Sequence, residues 1–288
     1  MVLARWLPGA VCATLARFLG ALYWQLAPHR RDVVIANLLP VFGGDHAAAR
    51  TSARKLFSNF ACKITDLWRY ESGVAVDDVL IQGNGWEILQ KARANGRGAL
   101  LLTPHLGNWE FGGPLLIRQG VPLLVLTQPE PGDGLTELRQ QSRARWGIET
   151  LVVSADPFAF VEVIKRLQAG AVVALLMDRP PEPTAVTVEL FGQPFRASIA
   201  AAELARATGC ALLPVCVLRD PGGYAANMLP EISYDRAALG ERAAREQLTQ
   251  EILRAFEPVI RQHPGQWYHF VPVWPTQEKR QAPTSKLQ

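Results

Sequence analysis

The stretch Thr103-Pro104-His105-Leu106-Gly107-Asn108-Trp109-Glu110 holds the residue types and spacing that point to chemistry in this chain. Histidine has the intrinsic pKa of a general base near neutrality. It does that work better when a carboxylate orients it and stabilises the imidazolium that forms. Glu110 is the carboxylate that the spacing offers to His105. On a regular helix, five residues at ~100° each would leave the two side chains about 140° apart. A turn must therefore intervene, with His105 in a loop and Glu110 in the first helical turn; Gly107 and Asn108 supply that freedom. The same residues also fit a plainer account, a histidine capping the following helix and a glutamate placed favourably by its dipole. From the residues alone, both stand.

A loop of that kind needs a rigid frame, and the middle of the chain provides one. Residues 99–102, 122–126, 151–153, 171–177 and 211–218 are short, mostly aliphatic runs. Between them lie helix-length segments at 86–94, 109–119, 135–146, 158–168 and 199–207. Continuous apolar strands alternating with helices predict an α/β fold, its mixed, largely parallel central sheet flanked by helices on both faces. Strands at 224–229 and 232–234 would extend an edge. His105 then sits just past the carboxyl end of a strand, where such sheets gather their ligands. Asp178 and Arg179 end the apolar run 171–177, which should lie near the strand carrying His105. An arginine there can bind a phosphate or a developing oxyanion, or it can simply lock the strand end with its aspartate. Before this frame, apolar residues at Leu56, Phe57, Phe60, Ile64, Leu67 and Trp68 mark a helix over 47–70, with a shorter one over 33–39. After it, Leu248, Ile252, Leu253, Phe256, Val259 and Ile260 mark a helix over 241–261.

Composition narrows the setting. The 288 residues are 49% hydrophobic and only 19% charged, an oily balance for an α/β domain but short of a polytopic membrane protein. The net charge of +4 is unevenly placed, with nine Arg and Lys against three Asp in residues 1–70. A basic front half attracts anionic lipid or nucleic acid, and the oily neighbours favour lipid. No nucleic-acid module is present. Residues 6–27 are apolar apart from Arg17 and Gln25, and as a helix would reach roughly 33 Å, about one bilayer core. Arg17 near the middle disfavours a clean span. A cleaved signal peptide and an ordinary helix packed on the core are the competing accounts. The Arg30-Arg31 flank favours a membrane-associated helix, tilted or half-inserted. Cys12, Cys62, Cys210 and Cys216 form no C-x-x-C pair and read as free buried thiols in a reducing compartment. The five histidines show no zinc spacing; His263 and His269 are too weakly patterned to propose a metal.

The motif His105-Leu106-Gly107-Asn108-Trp109-Glu110, an H-x-x-x-x-E, resembles the signature of the lipid A biosynthesis acyltransferases, the late lauroyl and myristoyl transferases within the lysophospholipid acyltransferase superfamily. The likeness extends along the chain. Val172 to Met177 followed by Asp178-Arg179 resembles the family's strand ending in a polar pair. Leu190-Phe191-Gly192 with Phe195 and Ala197 resembles its Phe-Gly block, Gly209 to Val215 the strand after it, and Pro264-Gly265-Gln266-Trp267-Tyr268 its closing Gln-Trp element.

The resemblance implies a glycerolipid acyltransferase-like fold and a catalytic pair, His105 as general base and Glu110 supporting the imidazolium. It implies an acyl thioester donor on acyl carrier protein or coenzyme A, a glycolipid acceptor, one-step transfer in a ternary complex, and no resident cofactor or metal. No G-x-S-x-G elbow offers a competing nucleophile. Asn108, Asp178, Arg179 and Arg196 are the candidate substrate-binding residues. Trp109 is a candidate wall of the acyl groove. Arg139, Arg143 and Arg145 form a basic face, solvated or docking an acidic carrier protein or phosphates. Phe191 and Gly192 are expected to shape a turn beside the site. Two departures bear on the acceptor: Thr127-Gln128-Pro129 stands where the family tends to carry Tyr-Arg-Pro, and Tyr268-His269-Phe270-Val271-Pro272 where it carries His-Arg-Arg. Losing those arginines weakens the case for a strongly anionic lipid A precursor. A lysophospholipid or aminolipid acceptor is the alternative, and a non-catalytic membrane-associated binding protein is a second. The expected organisation is a membrane-associated helix at 1–28, an acyltransferase domain at 29–275 and a polar tail at 276–288, held at the cytoplasmic face of the inner (plasma) membrane.

Overall fold

The computed structural model describes residues 6–275 except 75–79, 130, 131, 133, 154–156 and 221. The tail at 276–288 and the first five residues lie outside it. Seven strands form the central sheet: β1 (Leu80–Asn84), β2 (Ala99–Thr103), β3 (Leu123–Thr127), β4 (Glu149–Val152), β5 (Val172–Leu176), β8 (Ala211–Asp220) and β9 (Gly223–Met228). A separate hairpin holds β6 (Ala185–Leu190) and β7 (Gln193–Ser198). The sheet order is β1-β9-β8-β2-β5-β3-β4, parallel throughout except for the antiparallel pair β8–β9. This is the mixed, largely parallel sheet the apolar runs predict.

All five residues of β2 are buried, because both faces of a parallel sheet are covered. Leu100 and Leu102 pack into one core with Val173, Leu212 and Phe57. Their neighbours Ala99 and Leu101 pack into the other with Leu89, Leu116 and Val172. That alternation fixes the strand's register, since a one-residue slip would exchange the two sets.

Among the described residues, three α-helices precede the sheet: α1 (Gly9–Leu26), α2 (Pro28–Leu38) and α3 (His46–Glu71). The Asp45 carboxylate caps α3 by accepting the Ala47 and Ala48 amides at 2.9 and 3.0 Å. The apolar stripe of α3 buries Leu56, Phe57 and Leu67. Helix α1 turns its small residues inward. Cys12, Ala16 and Gly20 are buried, and a Cβ on Gly20 would sit 2.7 Å from the backbone of Ser58. The two helices pack so closely because glycine stands there. Trp24 is buried with the small residues of α1, while Val11, Leu15, Phe18, Leu19, Leu22 and Leu26 face out and are exposed. At Ala27-Pro28 the chain bends by 97° into α2, and among the described residues no single helix is long and apolar enough to cross a membrane.

The sheet is covered by α4 (Trp86–Ala94), α5 (Gly112–Arg118), α6 (Leu135–Arg145), α7 (Pro157–Gln168), α8 (Ala200–Thr208), α9 (Arg242–Arg254) and α10 (Glu257–Gln262). Three local expectations change, and one element is new. Residues 109–119 split into a 3₁₀ turn at Trp109–Phe111 and then α5. Residues 241–261 break between α9 and α10, where Pro258 starts a new helix rather than continuing the old one. Residues 232–234 contribute one isolated bridge, Ile232 to Leu212, rather than a strand. The hairpin β6–β7 was not expected, and Phe191-Gly192 forms its two-residue turn with φ of 52° and 73°. The four cysteines are free and buried.

Candidate active site

The site forms where the carboxyl ends of β2 and β5 lie side by side. Thr103 at the end of β2 pairs with Leu176 at the end of β5. Two residues beyond each partner come His105 and Asp178, and the parallel register brings them together. His105 Nδ1 lies 2.6 Å from Asp178 Oδ1, and the His105 amide donates to Asp178 Oδ2 at 2.8 Å. The carboxylate touching the imidazole is therefore Asp178, which the sequence reading assigned to substrate. Glu110 is instead held by Arg143, whose Nε and Nη2 donate to its two carboxylate oxygens at 3.0 and 2.6 Å. The expected contact of Glu110 with His105 is replaced by this bidentate ion pair.

Local backbone geometry separates the two residues. After His105, the Leu106 strand bridge to Trp267 and the Gly107 bridge to Val217 pin the loop between the closing segment and β8. Gly107 adopts φ +65°, and a Cβ there would come within 2.0 Å of the Val217 carbonyl oxygen. Only glycine fits. The Asn108 amide then donates to the Val217 carbonyl at 2.8 Å, and the 3₁₀ turn at Trp109 carries Glu110 toward α6. Asn108 itself is buried, with neither side-chain polar atom hydrogen-bonded. It stands in the loop's interior, fully buried.

Burial and neighbours set the charges. Burial lowers the His105 pKa from its usual value to about 4, although Asp178 pulls the other way. Burial alone would raise Asp178, yet the attraction of His105 and His269 and their hydrogen bonds more than offset it and hold the carboxyl well below its usual range. At neutral pH the pair is a neutral imidazole on an anionic carboxylate. Nδ1 is occupied by Asp178, which leaves Nε2 as the nitrogen free to exchange a proton. Burial would likewise raise Glu110, and Arg143 overrides it and keeps the carboxyl ionised.

Other candidate residues go elsewhere. Arg179 donates through Nη2 to the Tyr268 carbonyl at 2.5 Å and through Nε to His269 Nδ1 at 3.4 Å, so it fastens the closing segment to the site. Arg196 pairs with the exposed Glu182 on the hairpin and has no contact with the His105 cluster. Arg139 and Arg143 are turned inward, onto Glu71 and Glu110, and Arg145 donates to the Glu71 carbonyl. These contacts replace the solvated face expected for α6.

Two residues enter the site that sequence reasoning missed. His269 Nε2 lies 2.8 Å from Asp178 Oδ2, across 91 residues, which no local pattern reveals. Lys63 is buried on α3, its ammonium 3.0 Å from the Trp109 ring centroid. Burial lowers its pKa well below the usual lysine value, with Glu110 opposing. Its stripe position among apolar residues was the available signal, and it read as one more basic residue. His105, Asp178 and His269 also bring three potential metal donors within 4.8 Å of one another. Their contacts are hydrogen bonds between the donors themselves, and Arg179 already sets a positive charge against them. A proton-handling network fits that arrangement better than a cation cage.

Beside the pair opens an apolar pocket. Trp109, Glu110 and Arg143 line it together with Leu101, Leu116, Leu123 and Ile148, and the Trp109 ring meets His105 edge-on at 4.9 Å. The arrangement supplies a base, a carboxylate behind it and a greasy slot alongside.

Comparison with known proteins points to acyltransferases. The profile of the bacterial lipid A biosynthesis acyltransferases matches residues 1–276. A phosphatidylinositol mannoside acyltransferase of Mycobacterium tuberculosis is 31% identical over 191 residues, 66% of this chain and 58% of the relative. A protein of the same description from Mycolicibacterium smegmatis is 28% identical over 180 residues, 62% of this chain and 57% of the relative. The match thus spans less than two thirds of either relative's length.

Proposed function

Because the chain belongs to the bacterial lipid A biosynthesis acyltransferase family, we propose that it transfers a fatty acyl chain from a thioester to a hydroxyl of a glycolipid. The observation that carries this reading is the His105–Asp178 pair beside the apolar pocket walled by Trp109. His105 Nε2 takes the proton of the acceptor hydroxyl as the oxygen attacks the thioester carbon. Asp178 stabilises the imidazolium through Nδ1–H. The tetrahedral intermediate collapses with cleavage of the C–S bond, and the departing thiolate takes the proton from Nε2. Atoms balance with no redox partner and no acyl-enzyme. Glu110 acts through Arg143, holding the wall of the pocket rather than the imidazole. The pocket takes the acyl chain.

The donor is an acyl thioester of acyl carrier protein or coenzyme A. For the acceptor, the missing arginines at 127–129 and 268–272 and the names of the mycobacterial relatives favour a glycosylated phospholipid over a lipid A precursor. The exposed apolar face of α1, with Arg30 and Arg31 just beyond it, supports docking on the cytoplasmic face of the inner membrane. Six large apolar side chains exposed on one helix face support that reading.

The test offers the purified full-length protein labelled acyl thioesters of both donor types. The acceptors are a mannosylated phosphatidylinositol, a lipid A precursor, a lysophospholipid and an aminolipid. Label should appear on the glycosylated phospholipid and vanish in His105→Ala. Transfer to the lysophospholipid or aminolipid alone would move the acceptor to the alternative class. Undiminished transfer by His105→Ala would sink the catalytic assignment.

A further inference from the structure

We propose that His269 is a positioning residue for this reaction: as a neutral Nε2–H tautomer it shares the Asp178 carboxylate with His105 and keeps it aimed at the imidazole. The inference rests on the acyl-transfer reading and goes beyond it, because His269 touches neither the acceptor hydroxyl nor the thioester.

The tautomer follows from the partners. Arginine has only donors. Arg179 Nε faces His269 Nδ1 at 3.4 Å, so Nδ1 must accept. The ring proton then sits on Nε2 and points at Asp178 Oδ2, 2.8 Å away. A second ring proton would meet the arginine head-on. Asp178 thus receives three N–H donors: His105 Nδ1–H on Oδ1, and the His105 amide and His269 Nε2–H on Oδ2. Its side chain is 1% exposed, so water cannot replace a lost donor. The titratable groups facing this carboxylate are the two neutral histidines and the more distant Lys63, and the charged one is Arg179.

The backbone supports the same arrangement. The Tyr268 amide donates to the His105 carbonyl at 2.8 Å and the Gly107 amide to the Gln266 carbonyl at 2.9 Å. The closing segment is thereby stitched to the catalytic loop, and His269 is brought under the carboxylate. Asn37 holds the far side, donating to the carbonyls of His269 and Val271. The Trp267 ring packs on His269 at 4.8 Å. If His269 served only to fill space beside Trp267, any side chain of similar volume would do.

The experiment separates those roles by comparing His269→Gln with His269→Leu. Glutamine sets an amide N–H near the position of Nε2, whereas leucine fills the volume with no donor. Leucine should lower kcat on the order of 10²-fold at unchanged KM, within the range of a disturbed general base. It should also move the acid limb of kcat/KM to higher pH, since Asp178 then protonates more readily. Glutamine should recover kcat to within about tenfold and restore the acid limb. Equal activity and equal pH profiles for the two variants would overturn the proposal. If the leucine variant does not fold, ¹⁵N shifts of histidine in the wild-type protein decide: a Nδ1–H or doubly protonated His269 at pH 7 also overturns it. Wild-type protein without acyl transfer, or an active His105→Ala, would instead bring down the catalytic reading itself, so the two failures are told apart.

Discussion

Glu110 and Arg143 form a bidentate ion pair at 2.6 and 3.0 Å, buried between the catalytic loop and α6. The glutamate of the H-x-x-x-x-E signature is thus held by an arginine rather than by the imidazole. It fixes the 3₁₀ turn that carries Trp109, and through Trp109 the edge of the imidazole. Removing one partner of a buried pair leaves the other charge uncompensated, a loss of about 3–5 kcal/mol. Glu110→Gln should lower the unfolding midpoint in urea and reduce activity without moving the acid limb of kcat/KM. Glu110→Gln combined with Arg143→Met should be more stable than Glu110→Gln alone, because the buried Arg143 charge leaves together with its partner. An acid limb displaced by Glu110→Gln in a folded protein would mean that Glu110 titrates with His105 after all.

Asp178→Asn should behave differently. The amide keeps the shape of the carboxylate but carries no charge to stabilise the imidazolium, and it lets His105 choose the wrong tautomer. We expect kcat to fall by about 10²–10⁴ with KM little changed. A kcat within twofold of wild type would show that the carboxylate at 2.6 Å from Nδ1 is a bystander.

Much of this was legible before any coordinates. Aliphatic runs spaced by helix-length segments gave the sheet, and the placement of His105 and Asp178 at adjacent strand ends followed from it. The identity of the carboxylate did not, because the loop after His105 is shaped by contacts from far away: Val217 on β8 and Trp267 in the closing segment. Five residues of sequence separation argued for Glu110, and 73 argued for nothing, yet the register of β2 against β5 makes the longer separation the shorter distance. His269 was unreadable for the same reason, whereas Lys63 was signalled only by its place in the apolar stripe of α3. The hairpin β6–β7 was readable in principle: Val186, Val188 and Leu190 are buried and alternate with the exposed Thr187 and Glu189, the two-residue period of a strand.

The pH dependence carries its own prediction. Burial brings the His105 pKa down to about 4 in the folded protein, whereas in the unfolded chain it is about 6.5. Between those values the unfolded state binds the extra proton, so stability falls as pH drops from about 6.5 toward 4. His269, lowered in the same direction by burial, adds to that slope. Urea midpoints measured across the window should fall more steeply for wild type than for His105→Gln. In activity, kcat/KM should stay flat through pH 6.5, since the free base is already neutral there. An inflection at 6.5 that disappears in an active Asp178 variant would contradict the shift.

Phe18 and Leu22 lie on the outward face of α1, and neither contributes to the core. Burying such side chains in a bilayer interface is worth about 1.5–3 kcal/mol each at most. Phe18→Asp with Leu22→Asp should therefore reduce co-sedimentation with anionic phospholipid vesicles by tenfold or more, while leaving the unfolding midpoint unchanged. Turnover of a water-soluble, short-chain acceptor should survive. Unchanged vesicle binding in the double variant would remove α1 as the membrane contact.

If the pocket takes the acyl chain, its length should be set by lining residues such as Leu116, Leu123 and Ile148. Leu116 and Ile148 are buried and line the pocket, so a change in either alters the volume of the slot together with the core packing behind it. Leu116→Phe shortens the slot, and each methylene that no longer fits costs about 1–3 kcal/mol in discrimination. Ile148→Ala lengthens it, at a packing cost of about 2–5 kcal/mol in stability. Offered a mixture of acyl thioesters, the first variant should prefer shorter chains than wild type and the second longer ones. The opposing shifts guard against a general loss of fit, which would move both variants in the same direction. An identical order of preference in all three proteins would place the acyl chain somewhere other than this pocket.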